Sequence, residues 1–467
     1  MKDMEIPINS DKSALTSINS KSLFDKLNEF AKTESVKQWD LGASTSKDQS
    51  VQVEQGEAKQ LKGSQRTNLT IRVWNKQGLV GTTSTSDFSD LGLEKAFNGA
   101  YQASNYGNPN DIPQFSILAK AELPIIKKPI VDFVGIKSLL DTLRDAEANL
   151  LNKYTAIKTV PYNGLAESIF QRIYLNSEGA HRTIHSTQAS LYLYARAEEE
   201  GFKPRSSGSL RVGYGIKELD IDSCINEAAS KTISHLNYEP IDTGKYLVCF
   251  KPEAFLELIG SFSNMFNARA VLDGVSLSQK ETLGEQICSP ILSLYDNAIH
   301  PSNITSCGFD GEGTPTRNLC LIKNGVLENF IHSEATARKF GVKPTGHAGM
   351  GAKVSVGADW LVVEKSQSRQ ANRIELDHNS FLDKFVLIEN LNALHSGVKA
   401  SQGSFSLPFD GWLVNKGQKI SIEAATVAGD INKVLNNIIH IEDDQRITNQ
   451  GLSPHVWVHE LSVTGEQ

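Results

Sequence analysis

The segment with the most suggestive chemistry is KPEAFLELIGSF, which runs from Lys251 to Phe262 and places Glu257 near the middle of a predicted helix. In zinc peptidases, histidines on such a helix bind the metal and the glutamate is the general base. Here Leu256 and Ser261 stand where a histidine–glutamate motif would place its two histidines. Zinc needs three or four nitrogen, sulfur or oxygen ligands, and this helix offers at most one. The helix alone therefore cannot form a zinc site.

The apolar residues of the same segment predict a structural role for it. They recur at the spacing of one helical face, from which Glu257 points away. We therefore interpret the segment as a core helix, predicted over 252–267. The residues of the stripe are Phe255, Leu258, Ile259, Phe262 and Phe266.

Carboxylates also cluster in FDGEGTPTRN at 309–318, where Asp310 and Glu312 lie among glycines and Arg317 follows, with Glu285 and Asp296 upstream. Such oxygens could bind Mg²⁺ or Ca²⁺, but the ligand number and spacing of an EF-hand loop are missing. A tight turn is the favoured interpretation. In it the carboxylates accept backbone N–H bonds and pair with the arginine.

Two pairs of histidines have the four-residue spacing that would let a helix bind one metal. His455 and His459, however, lie in HVWVHELSV, whose alternation predicts a strand. Strand residues four apart are separated by roughly 13 Å, so these two cannot share one zinc ion. The same argument applies to His181 and His185.

Composition narrows the classes of protein that remain. The chain of 467 residues is long enough for two or three domains, and its net charge of −7 argues against direct binding to nucleic acid. Five cysteines without a CxxC pair favour free thiols in a reducing cytoplasm. No apolar stretch approaches the length of a membrane span, so we expect a cytoplasmic protein without membrane contact.

The pattern of elements predicts an α+β fold in two domains. Residues 1–240 read as an N-terminal α/β domain of strand-strand-helix units, with either an internal duplication or a merely repetitive architecture. Residues 241–467 read as a mostly antiparallel, barrel-like β domain, with a further helix at 430–440.

Several of these segments, in this order, resemble the TldD/PmbA family of metallopeptidase subunits. The most specific is FDGEGTPTR followed by an Ile-x-x-Gly-x-Leu strand, and the resemblance spans nearly the whole chain. The other matching pieces are RTNLTIRVWNKQGLVGTTSTSDFS, KPEAFLELIG, LGEQICSPILSLYDN, PTGHAG, SQGSFS and ATVAGDINKVLNNI.

The resemblance implies an α/β N-terminal domain, a β-rich C-terminal domain and a cytosolic two-subunit peptidase that processes peptides. In the zinc-bearing subunit of this family, an HExxxH helix and a late cysteine hold the metal. Leu256 and Ser261 replace both histidines here, and the last cysteine is Cys320. The chain is therefore similar to the PmbA (TldE) type, for which we expect neither catalytic nor metal-binding residues.

We accordingly expect a non-catalytic subunit with no cofactor of its own. Its partners would be a TldD-like chain that carries zinc, a peptide substrate and, in isolation, a second copy in a homodimer. The candidate residues for lining a cleft are Glu257, Asp310, Glu312 and Arg317. Two alternatives remain: a stand-alone hydrolase with a different site, and a regulatory binding protein of the kind described as a modulator of DNA gyrase.

Overall fold

The structure is a computed structural model that describes residues 18–34, 36, 38–109, 112–351, 353–366 and 384–465. It divides into two compact units. Unit 1 is the chain up to Gly107 together with Lys127–Ile233, and unit 2 is Asn108–Ile126 together with Ser234–Gln467. The sequence suggested one boundary, at 240/241, and gave no sign that the segment 108–126 belongs with the second half of the chain.

Unit 1 is built on a six-stranded antiparallel sheet in the order β3-β2-β1-β4-β5-β6. The two halves of this unit have the same order of elements, helix-strand-strand-strand-helix, and their first strands pair at the centre. The strands are β1 Gln38–Glu54, β2 Glu57–Trp74, β3 Val80–Thr85, β4 Ile157–Asn176, β5 His181–Ala197 and β6 Arg205–Gly213, and the helices are α1 Ser20–Thr33, α2 Asp90–Ser104, α3 Ile136–Leu151 and α4 Ile221–Ser234.

Alternation along the strands decides which side chains meet the helices. Leu41 on β1 and Leu69 on β2 point to the same side and are fully buried with Leu27 of α1 and Phe97 of α2. Burial of this apolar face, rather than helix propensity, fixes α1 and α2 on the sheet.

The core of unit 2 contains a barrel of five strands, which closes because β15 pairs both with β8 and with β17. The barrel strands, in their neighbour order, are β15 Lys384–Leu391, β8 Gly244–Phe250, β23 Val456–Gly465, β19 Ala425–Asp430 and β17 Ser404–Asn415. Four short strands flank them: β7 Tyr238–Glu239, β16 Val398–Lys399, β18 Gln418–Ile422 and β20 Ile438–Ile441.

A second sheet of unit 2 has the order β11-β10-β9-β14-β22-β21. Its strands are β9 Leu292–Asn297, β10 Asn318–Lys323, β11 Val326–Leu327, β14 Leu361–Lys365, β21 Arg446–Ile447 and β22 Gly451–Ser453, and a separate pair is formed by β12 Ala348–Gly349 and β13 Ser355–Val356. The α-helices in the described part of the unit are α5 Pro252–Ser261, α6 Ala268–Leu272, α7 Glu334–Phe340, α8 Leu394–Gly397 and α9 Ile431–Asn436.

The predicted fold class is confirmed: the chain is α+β, with strand-strand-helix units first and a mostly antiparallel barrel later. Two predicted helices were too long. The helix at 252–267 ends at Ser261 and continues as a 3₁₀ turn, Ser263–Phe266. The helix at 430–440 ends at Asn436, because the β-branched run that follows pairs with β23 as strand β20.

Among the described residues, no helix combines the length and the apolar character needed to cross a membrane.

Candidate functional site

Helix α5 follows strand β8 of the barrel, and the residues at its start determine where it begins. Lys251 is the N-cap residue and Pro252 occupies the first helical position, where its missing N–H costs no hydrogen bond. The apolar stripe predicted from the sequence is buried in the core of unit 2. The predicted burial of this stripe is confirmed.

The two positions that a zinc helix would give to histidine do not fit a metal here. Leu256 is only 1% exposed and packs into the hydrophobic core, close to Gly451 of β22. A side chain at Gly451 would clash with the carbonyl of Leu361 on β14, so the glycine is what permits the close approach of β22 to β14. The Ser261 hydroxyl donates to the carbonyl of Glu257, one turn back along the helix. Neither residue supplies a zinc ligand of the kind the motif requires.

Glu257 is a half-buried carboxylate with one backbone donor. Its Oε2 accepts the N–H of Leu391 at 3.4 Å. Burial raises the pKa of Glu257, Glu253 raises it further, and the Leu391 N–H lowers it. A raised pKa is compatible with a general base, but a base acts on a water or substrate, and the adjacent side chains on this helix provide nothing to activate either.

Beside α5 lies a buried polar group, drawn from several separate elements, that sequence reasoning missed. Glu389 on β15 is 2% exposed; Lys251 forms a short ion pair with it, and His235 Nε2 lies 3.3 Å from its Oε2. His235 Nδ1 also lies 2.9 Å from the hydroxyl of Ser421. The imidazole stacks on the Trp412 ring at 4.7 Å, over which the Lys251 ammonium also lies.

Serine, histidine and glutamate are the residue types of a nucleophilic triad, but Ser421 is 2% exposed and sits within strand β18. A nucleophile must reach a substrate carbonyl, and this hydroxyl is enclosed. We interpret the group as a buried ion pair that is completed by hydrogen bonds.

The loop at 309–318 is the turn that was predicted. Asp310 Oδ1 accepts the N–H groups of Glu312 and Thr314, and its Oδ2 accepts the N–H of Ala348. Glu312 Oε2 accepts the N–H of Glu334, at the start of α7. Both loop carboxylates are at most 4% exposed, so their charge is satisfied inside the protein by backbone donors.

A second buried group adjoins this loop through His347, which directly precedes Ala348, a donor to Asp310. Asp296 accepts the backbone N–H groups of Asp359 and Trp360, and the imidazole of His347 lies 3.4 Å from it. Burial, together with the nearby His347 and Arg317, lowers the pKa of His332 to about 4. The imidazole of His332 is therefore neutral at physiological pH.

The predicted pairing of Arg317 with the loop carboxylates is wrong. Its guanidinium donates to the carbonyl of Pro344 instead, at 3.1 Å. The carboxylates need no such partner, because hydrogen bonds from backbone N–H groups already stabilise their charge. For Asp310, Glu312, Arg317 and Glu257, a role in lining a cleft stays a prediction; the contacts of the first two are those of a structural loop.

One group in the described part of the chain brings together three potential metal ligands, Glu442, Asp444 and His455. His455 Nδ1 lies 2.8 Å from Asp444 Oδ2, and the indole N–H of Trp457 donates to Glu442. Each of the three side chains thus has a protein partner: His455 and Asp444 pair with each other, and Glu442 accepts from Trp457. His459 lies within strand β23, as predicted, whereas His455 directly precedes its first residue, Val456. No local pattern in the sequence indicated the two acidic partners of His455.

Three family models match successive parts of the chain. They are described as PmbA/TldA metallopeptidase domain 1, the central domain and the C-terminal domain, and they match residues 39–104, 131–236 and 243–465.

Proteins with similar sequences and structures agree with these matches. The metalloprotease PmbA of Escherichia coli O157:H7 is 24% identical over 429 residues, which are 89% of this chain and 90% of that protein. A Thermotoga maritima protein described as a candidate modulator of a DNA gyrase has a TM-score of 0.84 at 25% identity, covering 95% of this chain and all of that one. TldE from Thermococcus kodakarensis shares the fold, with a TM-score of 0.80 at 19% identity over 95% of this chain and 99% of that one.

The domain matches run in order through most of the chain and coincide with the resemblance seen in its motifs. The chain therefore belongs to the PmbA/TldD metallopeptidase family.

Proposed function

We propose that this chain is a non-catalytic, PmbA/TldE-like subunit that pairs with a zinc-bearing TldD-like chain to process peptides. In that complex the partner supplies the metal and the general base. This chain completes the assembly and helps to enclose the peptide next to the partner's zinc.

The observation that carries the proposal is the state of helix α5. The positions of the two motif histidines hold Leu256, whose side chain belongs to the core, and Ser261, whose hydroxyl is bonded to its own helix. A site that merely lacks its metal would still have its ligand side chains in place. Here a leucine packed in the core occupies one of the ligand positions, so that position cannot bind zinc. A lone carboxylate at Glu257 cannot hold zinc or activate a water by itself.

We place the complex in the cytosol. All five cysteines are free thiols, and three of them, Cys224, Cys249 and Cys288, are buried with pKa values raised by burial. Unreactive buried thiols suit a reducing compartment, where no disulfide is needed for stability.

The gyrase description of the Thermotoga protein is not extended to this chain. Direct contact with DNA ordinarily requires a basic surface, and this chain has a net charge of −7.

The test is reconstitution with purified components. Zinc content and hydrolysis of unfolded peptides are measured for this chain alone, for a TldD-like partner alone and for the mixture. We expect less than one zinc per ten copies of the isolated chain, no hydrolysis by it, and chelator-sensitive hydrolysis by the mixture. The matched control is a partner whose motif histidines are replaced by alanine, which should leave the mixture inactive.

Two results would contradict the proposal. Hydrolysis by this chain alone that persists in chelator would favour a stand-alone hydrolase. Tightly held zinc at one ion per isolated chain, with hydrolysis that depends on it, would show a metal site that helix α5 does not supply.

A further inference from the structure

Strand β2 of unit 1 has an edge that is paired along only part of its length. On one side all of β2 pairs with β1, from Glu57 to Trp74. On the other side β3 pairs only with Leu69–Trp74. The remaining segment, Glu57–Asn68, is exposed or half-buried throughout, and at the spacing of a strand it is about 40 Å long. We call this segment the β2 edge.

A pocket opens directly beside the β2 edge, where β3 ends. After Thr85 the chain leaves the sheet, and Ser86 and Phe88 then border a cavity of about 300 Å³ together with Gln65 and Thr67 of the edge. The remaining lining residues come from α1, the residues before it, and α2; they are Ile18, Asn19, Ser22, Leu23, Lys26 and Leu93.

The pocket lies on the side of the sheet that faces the helices. Gln65 and Thr67 alternate in step with Leu69, which is buried against α1 and α2. A strand added to the β2 edge would point every second side chain to this side. One such side chain would meet the apolar part of the pocket, formed by Ile18, Leu23, Phe88 and Leu93.

The side chains of the β2 edge are basic, although the whole chain is acidic. The segment contains three basic residues, Lys59, Lys62 and Arg66, and one acidic residue, Glu57. Lys59 pairs with Glu54 and Arg66 lies 3.8 Å from Asp48, whereas Lys62 makes no ion pair with any residue that the structure describes. Lysines on an edge also discourage self-association, because two copies of a basic edge repel each other. The charge pattern thus disfavours a second copy and favours an acidic strand.

We propose that the β2 edge and its adjoining pocket bind an extended polypeptide by strand addition. The ligand is an extended segment with acidic side chains and one apolar side chain that enters the pocket. Backbone hydrogen bonds along the edge provide affinity, and the pocket and the basic side chains provide specificity. The inference goes beyond the subunit function, since it concerns unit 1 and requires neither zinc nor a partner.

The experiment uses the full chain and a fluorescein-labelled peptide of the same length as the edge. The peptide alternates valine or threonine with glutamate and carries one central leucine. Binding is followed by fluorescence anisotropy, and hydrogen exchange measured by mass spectrometry locates it. We expect slower exchange of the amides in Glu57–Asn68 when the peptide is bound. A peptide with proline at alternate positions should not bind, because it lacks the amide donors.

Two pairs of variants separate charge and pocket from general damage. Reversal of both charges in Lys62→Glu with Arg66→Glu should raise Kd about tenfold, while Lys76→Glu, in the exposed turn after β2, should change it less than about twofold. Gln65→Trp, which fills the pocket, should weaken binding, while Gln60→Trp, on the opposite side of the same strand, should not.

The proposal is overturned by any of three results. These are no binding of the acidic peptide at millimolar concentration, equal binding of the proline peptide, and binding that slows exchange only outside the β2 edge. Slower exchange only outside the β2 edge would show that the peptide binds another surface. Absence of binding would mean that the basic side chains of the β2 edge only prevent its self-association. Because the partner is absent from these experiments, their failure would leave the subunit function untouched.

Discussion

Two regions of unit 2 carry acidic residues that sequence reasoning selected for chemistry, and their surroundings differ sharply. In the loop at 309–318, Asp310 is buried and three backbone N–H groups neutralise it. On helix α5, Glu257 is half-buried, has one long hydrogen bond to a backbone N–H and sits beside a leucine of the core. The first carboxylate organises the backbone of its loop, whereas the second lies on a helix between Leu256, which is buried in the core, and Ser261, whose hydroxyl donates to the carbonyl of Glu257.

The difference shows that the role of a carboxylate depends on the hydrogen-bond donors that surround it. A carboxylate suggests acid-base chemistry by its residue type, but one that accepts three backbone N–H groups serves to hold those groups in place. The predictions below sharpen this contrast by removing one group at a time, from the largest expected effect to the smallest.

Removal of the Asp310 carboxylate should have the largest effect. Asp310→Ala leaves three buried N–H groups without their acceptor, and we expect the free energy of unfolding of unit 2 to fall by about 3 kcal/mol or more. Urea unfolding, followed by hydrogen exchange in each unit, measures it. The control Asp443→Ala, at an exposed site, should cost less than about 0.5 kcal/mol. Equal losses in the two variants would show that Asp310 does not organise the loop.

Truncation of Leu256 should test the apolar state of α5. Leu256→Ala should cost about 2–4 kcal/mol, because the side chain is fully enclosed and its loss leaves a cavity. The same urea titration measures it, with the exposed Leu91→Ala on α2 as the control. A loss below about 1 kcal/mol would mean that Leu256 does not pack as a core residue, and it would weaken the argument that a ligand position has become core.

The buried histidine near the loop should make stability fall at acidic pH. The pKa of His332 is about 4 in the folded chain and about 6.5 when unfolded, so between these values only the unfolded state binds the proton. Acidification through this window therefore favours unfolding, by about 3 kcal/mol at its lower end. His332→Gln should have a flatter dependence of stability on pH between 6.5 and 4. Parallel curves for the two proteins would contradict the burial of a neutral imidazole.

Much of this architecture could be predicted from local pattern. The stripe of α5, the alternation of β23 and the turn at Asp310 each depend on residues a few positions apart, and all three were predicted. What failed depends on distant partners. His235 meets Glu389 across 154 positions, and His455 meets two acids that no spacing rule connects to it. Nothing local in 108–126 indicates that it packs with unit 2.

The smallest expected change in stability is at Glu257. Because burial raises its pKa, the folded state disfavours the ionised form, and stability is lost as pH rises through the folded pKa. Glu257→Gln removes that cost and keeps an acceptor for the Leu391 N–H. We expect the variant to be slightly more stable than the natural chain at pH 8 and equal to it at pH 4. Lower stability at pH 8 would show that the charge itself is needed.

The same substitution tests the central claim most directly when activity is measured in the reconstituted complex. Hydrolysis of an unfolded peptide is compared for the mixture that carries Glu257→Gln in this chain and for the mixture in which the motif glutamate of the zinc-bearing partner is changed to glutamine. If this chain supplies no chemistry, the first mixture retains its kcat within about twofold and the second loses about a hundredfold or more. A hundredfold loss caused by Glu257→Gln, in a chain that still folds and binds its partner, would contradict the account.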